Sequence, residues 1–461
     1  MKKSSILVLA ALFFGVIAGA QTVEYYNYST GVQRSDKYTV KVNGQDVTVL
    51  TTPEPDFAAF GTDGEVTVEV TCPHMTPSSF VVRPLAKKYD YTSNGNTVTI
   101  KLKTGDRISV EPDGSTDKPL FIFANPLEAK AVKKARKDGN TIFFGAGEIH
   151  EAGEIVPTRG QTVYIQGGAV VNGWIRQREP SANITITGCG VLRKDKENGQ
   201  VIRIDECYKL NVSNIITVNR NHWTNLFFNC EDVNIKNMHV IATASDKEPG
   251  NNENDALNVV GCTNVYIQGC FTYAHDDAYC VKTSCWGLQH PTENVNYEDC
   301  VAWNITSGNS FEIGYSLDCE AKNINYRNLY CIHSGGKASK FRRAGISIHQ
   351  GHGAPIHDIS YENVYIEDPL EHLVSFEVFK TPYKSGHQNW HPGRIYNVTV
   401  KNVHAWKEAP DGNALHGYDE EHLLENVVFK DFYIGDRKIT DISQFDVRPG
   451  KGDFTKNIKF E

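Results

Sequence analysis

One short pattern recurs along most of this chain, and it limits the folds open to it. The pattern is apolar, any, apolar, any, a residue fit for a tight bend, then a small or apolar residue. It reads Val163-Tyr164-Ile165-Gln166-Gly167-Gly168, then Ile184-Thr185-Ile186-Thr187-Gly188-Cys189, then Leu210-Asn211-Val212-Ser213-Asn214-Ile215. Further copies start at Val233, Val265, Val295, Ile324, Ile359, Val398 and Val427. The copies lie roughly 21 to 39 residues apart, a period that means stacked repeats. Period-two alternation makes each copy a strand with one buried face. Asn and Gly at the bend tolerate left-handed backbone angles. The Leu-x-x-Leu frame of leucine-rich repeats is missing, and a propeller needs four strands per repeat. The reading is an all-β chain built on a parallel β-helix, right-handed because parallel crossovers are. Val163, Ile184, Leu210, Val233, Val265, Val295 and Ile324 should then stack in one row. Cys189, Cys270 and Cys300 fall in one repeat slot and should be small buried hydrophobes. There are eleven cysteines but no Cys-x-x-Cys pair, so a zinc site is not expected.

The chain divides into three parts. Residues 1–20 have a basic start at Lys2-Lys3, an apolar stretch from Ile6 to Ala18, and small residues Ala18-Gly19-Ala20. That order is a secretory signal cleaved after Ala20, so the protein is expected to be exported, periplasmic or extracellular. Residues 21–118 read as short strands joined by turns such as Asn43-Gly44. They predict an N-terminal antiparallel β-sandwich-like domain. Residues 119–461 form the β-helix domain. It opens on a short helix with Asn125 as cap, Pro126 at the first position and Glu128 completing a capping box. This helix should plug the open end of the solenoid. No later segment suggests a membrane span. The net charge of −8 argues against nucleic acid.

Between the repeats lies a second set of strands. Asp255-Ala256-Leu257-Asn258-Val259 and Asp277-Ala278-Tyr279-Cys280-Val281 open alike. On successive coils, Asp255 and Asp277 would stand about 5 Å apart, with Asp276 beside them. Three close carboxylates repel, so one should keep its proton near neutral pH and serve as an acid while its neighbours serve as bases. The next two coils carry Asn309-Ser310-Phe311-Glu312 and Arg343-Ala344-Gly345-Ile346. The column thus presents Asp, Asp, Asn and Arg. His222-Trp223 and Trp286 frame it with aromatic faces suited to sugar rings. His275, Lys282, Asn309, Glu312, Arg342, Arg343 and His349 complete the candidate substrate-binding set. The run from Ser347 to Gly353 reads as a polar Gly-rich turn, and neither metal nor cofactor is called for.

At these residues the chain resembles the right-handed β-helix glycoside hydrolases, namely family 28 polygalacturonases and the family 49 dextranases and isopullulanases. Asn254 and Asp255 approximate an Asn-x-Asp segment, and Asp276-Asp277 match the Asp-Asp pair. Gly308-Asn309-Ser310 stands where family 28 has Gly-His-Gly, and Arg342-Arg343-Ala344-Gly345-Ile346 where it has Arg-Ile-Lys. The N-terminal β unit is reminiscent of the dextranase group. The resemblance implies a hydrolase of a pectic, galacturonan-like polymer or an α-glucan. It implies Asp276 as general acid, Asp255 with Asp277 activating water, and inversion.

Two other readings stay open. A polysaccharide lyase would use a Lys or Arg base, and the acidic cluster could bind calcium through oxygen ligands. A non-catalytic carbohydrate-binding solenoid would need the aromatics but not the carboxylates.

Overall fold

The structure is a computed structural model that describes residues 22–194, 199–220, 222–243, 254–304, 306–336, 343–381, 390–450 and 452–461. The signal-like segment 1–20 and Arg342 lie outside the described residues.

Alternating apolar residues from residue 141 onward wind into a parallel solenoid whose strands form one continuous 27-stranded ladder. Each coil contributes to three faces. The first face holds the recurring pattern, as in Ser181–Thr187, Cys207–Ser213, Glu231–Lys236 and Thr263–Gln268. The second holds Val191–Lys194, Ile216–Asn219, His239–Ala242 and Phe271–Ala274. The third holds Asn225–Phe228, Leu257–Val260, Tyr279–Lys282, Phe311–Tyr315 and Ala344–Gln350.

The expected row runs Ile184, Leu210, Val233, Val265, Val295, Ile324, Ile359, Val398 and Val427, and ends on Ile458. Val163 departs from it: it pairs with Ile186, two residues on from Ile184. A two-residue slip keeps the same face inward, so the sequence pattern is blind to it. Tyr297, Tyr326 and Tyr361 stack inside the core at 4.7 Å ring spacing. The bend residues behave as read: Asn214, Asn237, Asn328, Asn363 and Asn402 all have φ between 49° and 62°. Their amides bond along the stack, Asn363 to Asn328 at 2.8 Å and Asn402 to Asn363 at 2.6 Å. The corners are thereby tied as well as turned.

All eleven cysteines are free thiols. Cys270 and Cys300 face the solenoid core, but Cys189 does not share their slot. Gly190 takes that place, because a side chain there would strike the Ile165 and Gln166 backbone. Cys189 turns outward to Tyr26 and Tyr28 of the N-terminal unit.

That unit is a two-sheet sandwich around Val40, Phe60, Val68, Ile100, Ile108 and Val110. Its larger sheet includes Leu120–Asn125, so it runs past the boundary read after residue 118. This strand pairs in parallel with Asp56–Thr62, where an all-antiparallel sandwich was expected. Both strands are apolar on both faces: Phe57, Phe121 and Phe123 point away from the sandwich core and pack on Ile216, Ile241, Phe271 and Trp303 of the solenoid's second face. Charged groups close the seam, with Arg83 joining Glu111 to Glu367 and Arg107 reaching Asp299.

The helix spans Ala129–Ala135, shorter than the pattern suggested. Asn125 ends a strand instead of capping it. The Glu24 carboxylate accepts the Glu128 and Ala129 amides at 2.7 and 2.9 Å, which satisfies the helix start. Glu128 bonds Tyr164 and the Gly167 amide. Val132 and Ala135 rest on Tyr164 and Phe143, so the helix lies against the outside of the first face. Among the described residues no helix is long and apolar enough to cross a membrane.

Candidate active site

The third face carries the carboxylates. Leu257 pairs with Tyr279, and the Ala256 amide donates to the Asp277 carbonyl at 2.9 Å. Asp255 and Asp277 are therefore equivalent on neighbouring coils, as the sequence implied. The Ala278 amide donates to the Asn309 carbonyl at 2.8 Å, which puts Asn309 third in the column. The fourth place belongs to Ala344, because Phe311 pairs with Ile346. Arg343 lies one residue earlier than the alignment proposed.

Asp255, Asp276 and Asp277 open into a cleft of about 330 Å3 whose wall also includes His222, Trp223, Lys282, Cys285, Trp286, Tyr315, Arg343, His352 and Thr381. Asp255 and Asp277 are buried, and Asp276 keeps some exposure. The Lys282 ammonium stands among them. It donates to Asp255 Oδ2 at 2.9 Å and Asn258 Oδ1 at 2.9 Å, and lies 3.9 Å from Asp277 Oδ2. Cys280 Sγ is 2.7 Å from the same ammonium. Asp255, Asp277 and Cys280 place ligand atoms within 4.8 Å of one another, a spacing a metal ion could use. Lys282 already supplies the positive charge there, so the donor set suits its own ammonium better than an added divalent ion.

Enclosure and mutual repulsion set the proton affinities. Burial raises the Asp255 carboxyl to about 6, with Lys282 holding it down and Asp277 pushing it up. Asp276 is held well above the usual carboxylate range, first by its enclosure and then by the charges of Asp255 and Asp277, against Arg343 and Lys282. The cluster thus sets a proton holder, Asp276, beside Asp255, which pairs directly with one cation.

Backbone packing fixes the pair of adjacent aspartates. The Asp277 carboxylate accepts from the Asn309 amide at 2.8 Å and its side chain at 3.0 Å. Gly308, at φ +72°, presses on the Asp276–Asp277 peptide so closely that a Cβ would lie 2.2 Å from the Asp276 carbonyl carbon. Only glycine fits there.

One wall is aromatic. Trp286 and Gly287 make the two-residue turn between Ser284–Cys285 and Leu288–Gln289, both with positive φ. Glycine suits such a turn, whereas tryptophan is strained in it, and strain of this kind gathers at functional sites. Trp286 is 54% exposed and lies 5.1 Å from Trp223, with His222 5.9 Å away. Arg203 sits over Trp286 and Lys282 over Trp223. Burial and the nearby Lys194 and Arg203 charges lower the His222 pKa, which favours a neutral ring.

The facing wall holds Arg343, which the sequence pointed to, together with Tyr315, His352 and Thr381, which it did not. Arg343 donates to the Tyr315 hydroxyl at 2.9 Å and to Ser307 at 3.1 Å. His352 pairs with Asp318 at 3.0 Å. The Gly351-His352-Gly353 run was visible but read as a turn, and Tyr315 and Thr381 carried no local signal.

Several expected substrate contacts sit elsewhere. Asn309 braces Asp277. Glu312 and His349 are buried beneath the cleft wall, where His349 bonds Glu312 at 3.0 Å and Ser375 at 2.8 Å. They stack outward of the core strands and tie three coils together, and neither lines the cleft. His275 points to the N-terminal unit, with Nε2 2.8 Å from Glu54.

The model of the family described as glycosyl hydrolases family 28 matches residues 136–444. The chain belongs to glycosyl hydrolase family 28. It is a glycoside hydrolase, and a carbohydrate is its substrate. Among solved structures it is similar to Dex49A from Penicillium minioluteum, at 16% identity over 95% of this chain and 96% of that one, with a TM-score of 0.58. It is also similar to a hyperthermoactive exopolygalacturonase from Thermotoga maritima, at 13% identity over 72% and 86% of the two chains, with a TM-score of 0.49. A third is an endo-xylogalacturonan hydrolase from Aspergillus tubingensis, at 13% identity over 72% and 95%, with a TM-score of 0.47. No curated protein matches the sequence. The likeness to Dex49A is one of fold, and its coverage takes in the N-terminal unit.

Proposed function

We propose that this family 28 member is an exported enzyme that hydrolyses a polysaccharide or oligosaccharide with inversion. Asp276 gives its proton to the departing glycosidic oxygen. Asp255 and Asp277 take the proton of the attacking water. The observation that carries this reading is the division of one carboxylate cluster by a resident ammonium. Lys282 lies 2.9 and 3.9 Å from Asp255 and Asp277, while enclosure and the neighbouring carboxylates raise the proton affinity of Asp276. An acid and an ionised carboxylate with separated proton affinities are what glycosidic hydrolysis requires, and inversion is the outcome that the resemblance implies. Trp223, Trp286 and His222 offer stacking faces for sugar rings, and Arg343 and His352 offer donors to hydroxyl or carboxylate groups. Pectic and α-glucan polymers both suit this lining. The order of residues 1–20 supports export.

The test is reducing-end release from polygalacturonate and dextran, with the anomer of the first product read by NMR. An initial product of retained configuration, or unsaturated ends absorbing in the ultraviolet, would replace this mechanism.

The pH dependence follows. As base, Asp255 must be ionised, so kcat/KM should rise with pH through a midpoint near 6. As acid, Asp276 must be protonated, so activity should fall again at higher pH as that proton is lost. The two limbs belong to a coupled cluster, and a bell-shaped profile is the expected result. A rate that is flat from pH 4 to 8 would contradict the assignment.

A further inference from the structure

A turn of the N-terminal sandwich meets the segment that leads into Asp276. Its turn 52–55 is braced from within: Thr52 Oγ1 donates to the Pro55 carbonyl at 2.6 Å, and the Glu54 amide donates to Thr52 Oγ1 at 3.3 Å. From this turn the Glu54 carboxylate extends to the solenoid. It accepts from the Tyr273 hydroxyl at 3.2 Å and from His275 Nε2 at 2.8 Å. His275 is buried, and its other ring nitrogen meets the Thr306 hydroxyl at 2.8 Å.

These contacts converge on Asp276. His275 is its chain neighbour. Thr306 belongs to the next coil, where the Asn304 side chain donates to both the Asp276 and Ser307 carbonyls. Gly308 then presses on the Asp276–Asp277 peptide. Ser307 accepts from Arg343, which lines the cleft. The path from Glu54 through His275 and Thr306 therefore touches the segments on both sides of the carboxyl that must meet the leaving oxygen.

We infer that Glu54, acting through His275, is a positioning residue for hydrolysis: the N-terminal sandwich sets the placement of Asp276. This rests on the reading of Asp276 as the acid. Glu54 does not line the cleft. Docking of the sandwich does not depend on it either, since Phe121, Phe123, Arg83 and Arg107 hold the seam along several coils. What Glu54 adds is a fixed distance between a rigid turn and the residue before the acid. A small misplacement of a reacting group can cost up to about a hundredfold in rate.

The test uses Glu54→Ala and Glu54→Gln in the full-length chain, with Asp276→Asn alongside. Kinetics are measured on whichever of polygalacturonate and dextran the native enzyme cleaves. Glu54→Ala should lower kcat by about 10- to 100-fold with KM held within about twofold. Glu54→Gln keeps an acceptor oxygen for His275 and should recover most of the loss. A purely structural role would move the melting temperature without this kcat–KM split or rescue. If Asp276→Asn is inactive while Glu54→Ala keeps kcat within about twofold of native, the inference is wrong and the catalytic reading stands. If Asp276→Asn itself retains normal turnover, both fall together.

Discussion

Asp276→Asn should leave a folded protein whose turnover is lower by about two to four orders of magnitude. The substitution keeps the shape and removes the proton. Asp276 is the partly exposed member of the cluster, and its backbone is held independently by Asn304 and by the close approach of Gly308. Stability should therefore change little, or rise at high pH. The sign follows from the raised pKa. In the folded chain Asp276 holds its proton well above the usual carboxylate range, whereas unfolded it titrates near about 3.9. The native state binds the extra proton, so this group favours folding at low pH and opposes it as pH rises. Asparagine removes that opposition. The measurements are kcat on the native substrate and thermal melts at pH 5 and pH 8. Near-normal hydrolysis at unchanged stability would show that the carboxyl is structural, and a binding role for the cleft would take precedence.

Period-two alternation explains what could be read in advance. It placed Ile184 through Val427 in one row and Asp255 opposite Asp277, because slipping by one residue would turn a whole strand inside out. The same alternation hid the two-residue offset at Val163. Arg343 was misplaced by one because it precedes the strand Ala344–Gln350, where no alternation marks the register. The substrate-side residues fared worse for a different reason. Glu312 and His349 look like site residues on an outward face, yet that face is itself covered. His275 looked like a cleft neighbour until a turn more than two hundred residues earlier in the chain came to meet it. Tyr315 ends one strand while His352 and Thr381 lie in loops after two others, and only the coil stack brings them together. Position within a coil was encoded locally, whereas contact between coils and the N-terminal unit was not.

Lys282→Met should be the most damaging single change near the site. Lys282 was expected to touch substrate, but its ammonium is committed to Asp255, Asn258 and Cys280. Both partners of the ion pair are buried, with side-chain exposures of 6% for Lys282 and 3% for Asp255. Removing one partner of such a pair typically costs about 3–5 kcal/mol, because the other is left as an uncompensated charge. Asp255 can relieve that cost by taking up a proton. Lys282 is what lowers its pKa against burial, so without Lys282 the value must climb above about 6. The unfolded value does not change. Stability of the variant is then retained at low pH and lost as pH rises toward the new folded pKa, so the deficit against native protein should be larger at pH 8 than at pH 5. Activity should fall at neutral pH by about a hundredfold or more, since a protonated Asp255 cannot accept from water. The rising limb of the pH profile should move to higher pH by the same shift. A double variant, Lys282→Met with Asp255→Asn, separates the two effects. It should regain part of the stability, because the uncompensated Asp255 charge is removed while Asp277 keeps its Asn309 donors, and should stay impaired, because one of the two carboxylates that take the water's proton is gone. An unshifted rising limb in Lys282→Met would mean that the ammonium neither tunes Asp255 nor divides the cluster, and Lys282 would return to the list of residues that meet the sugar.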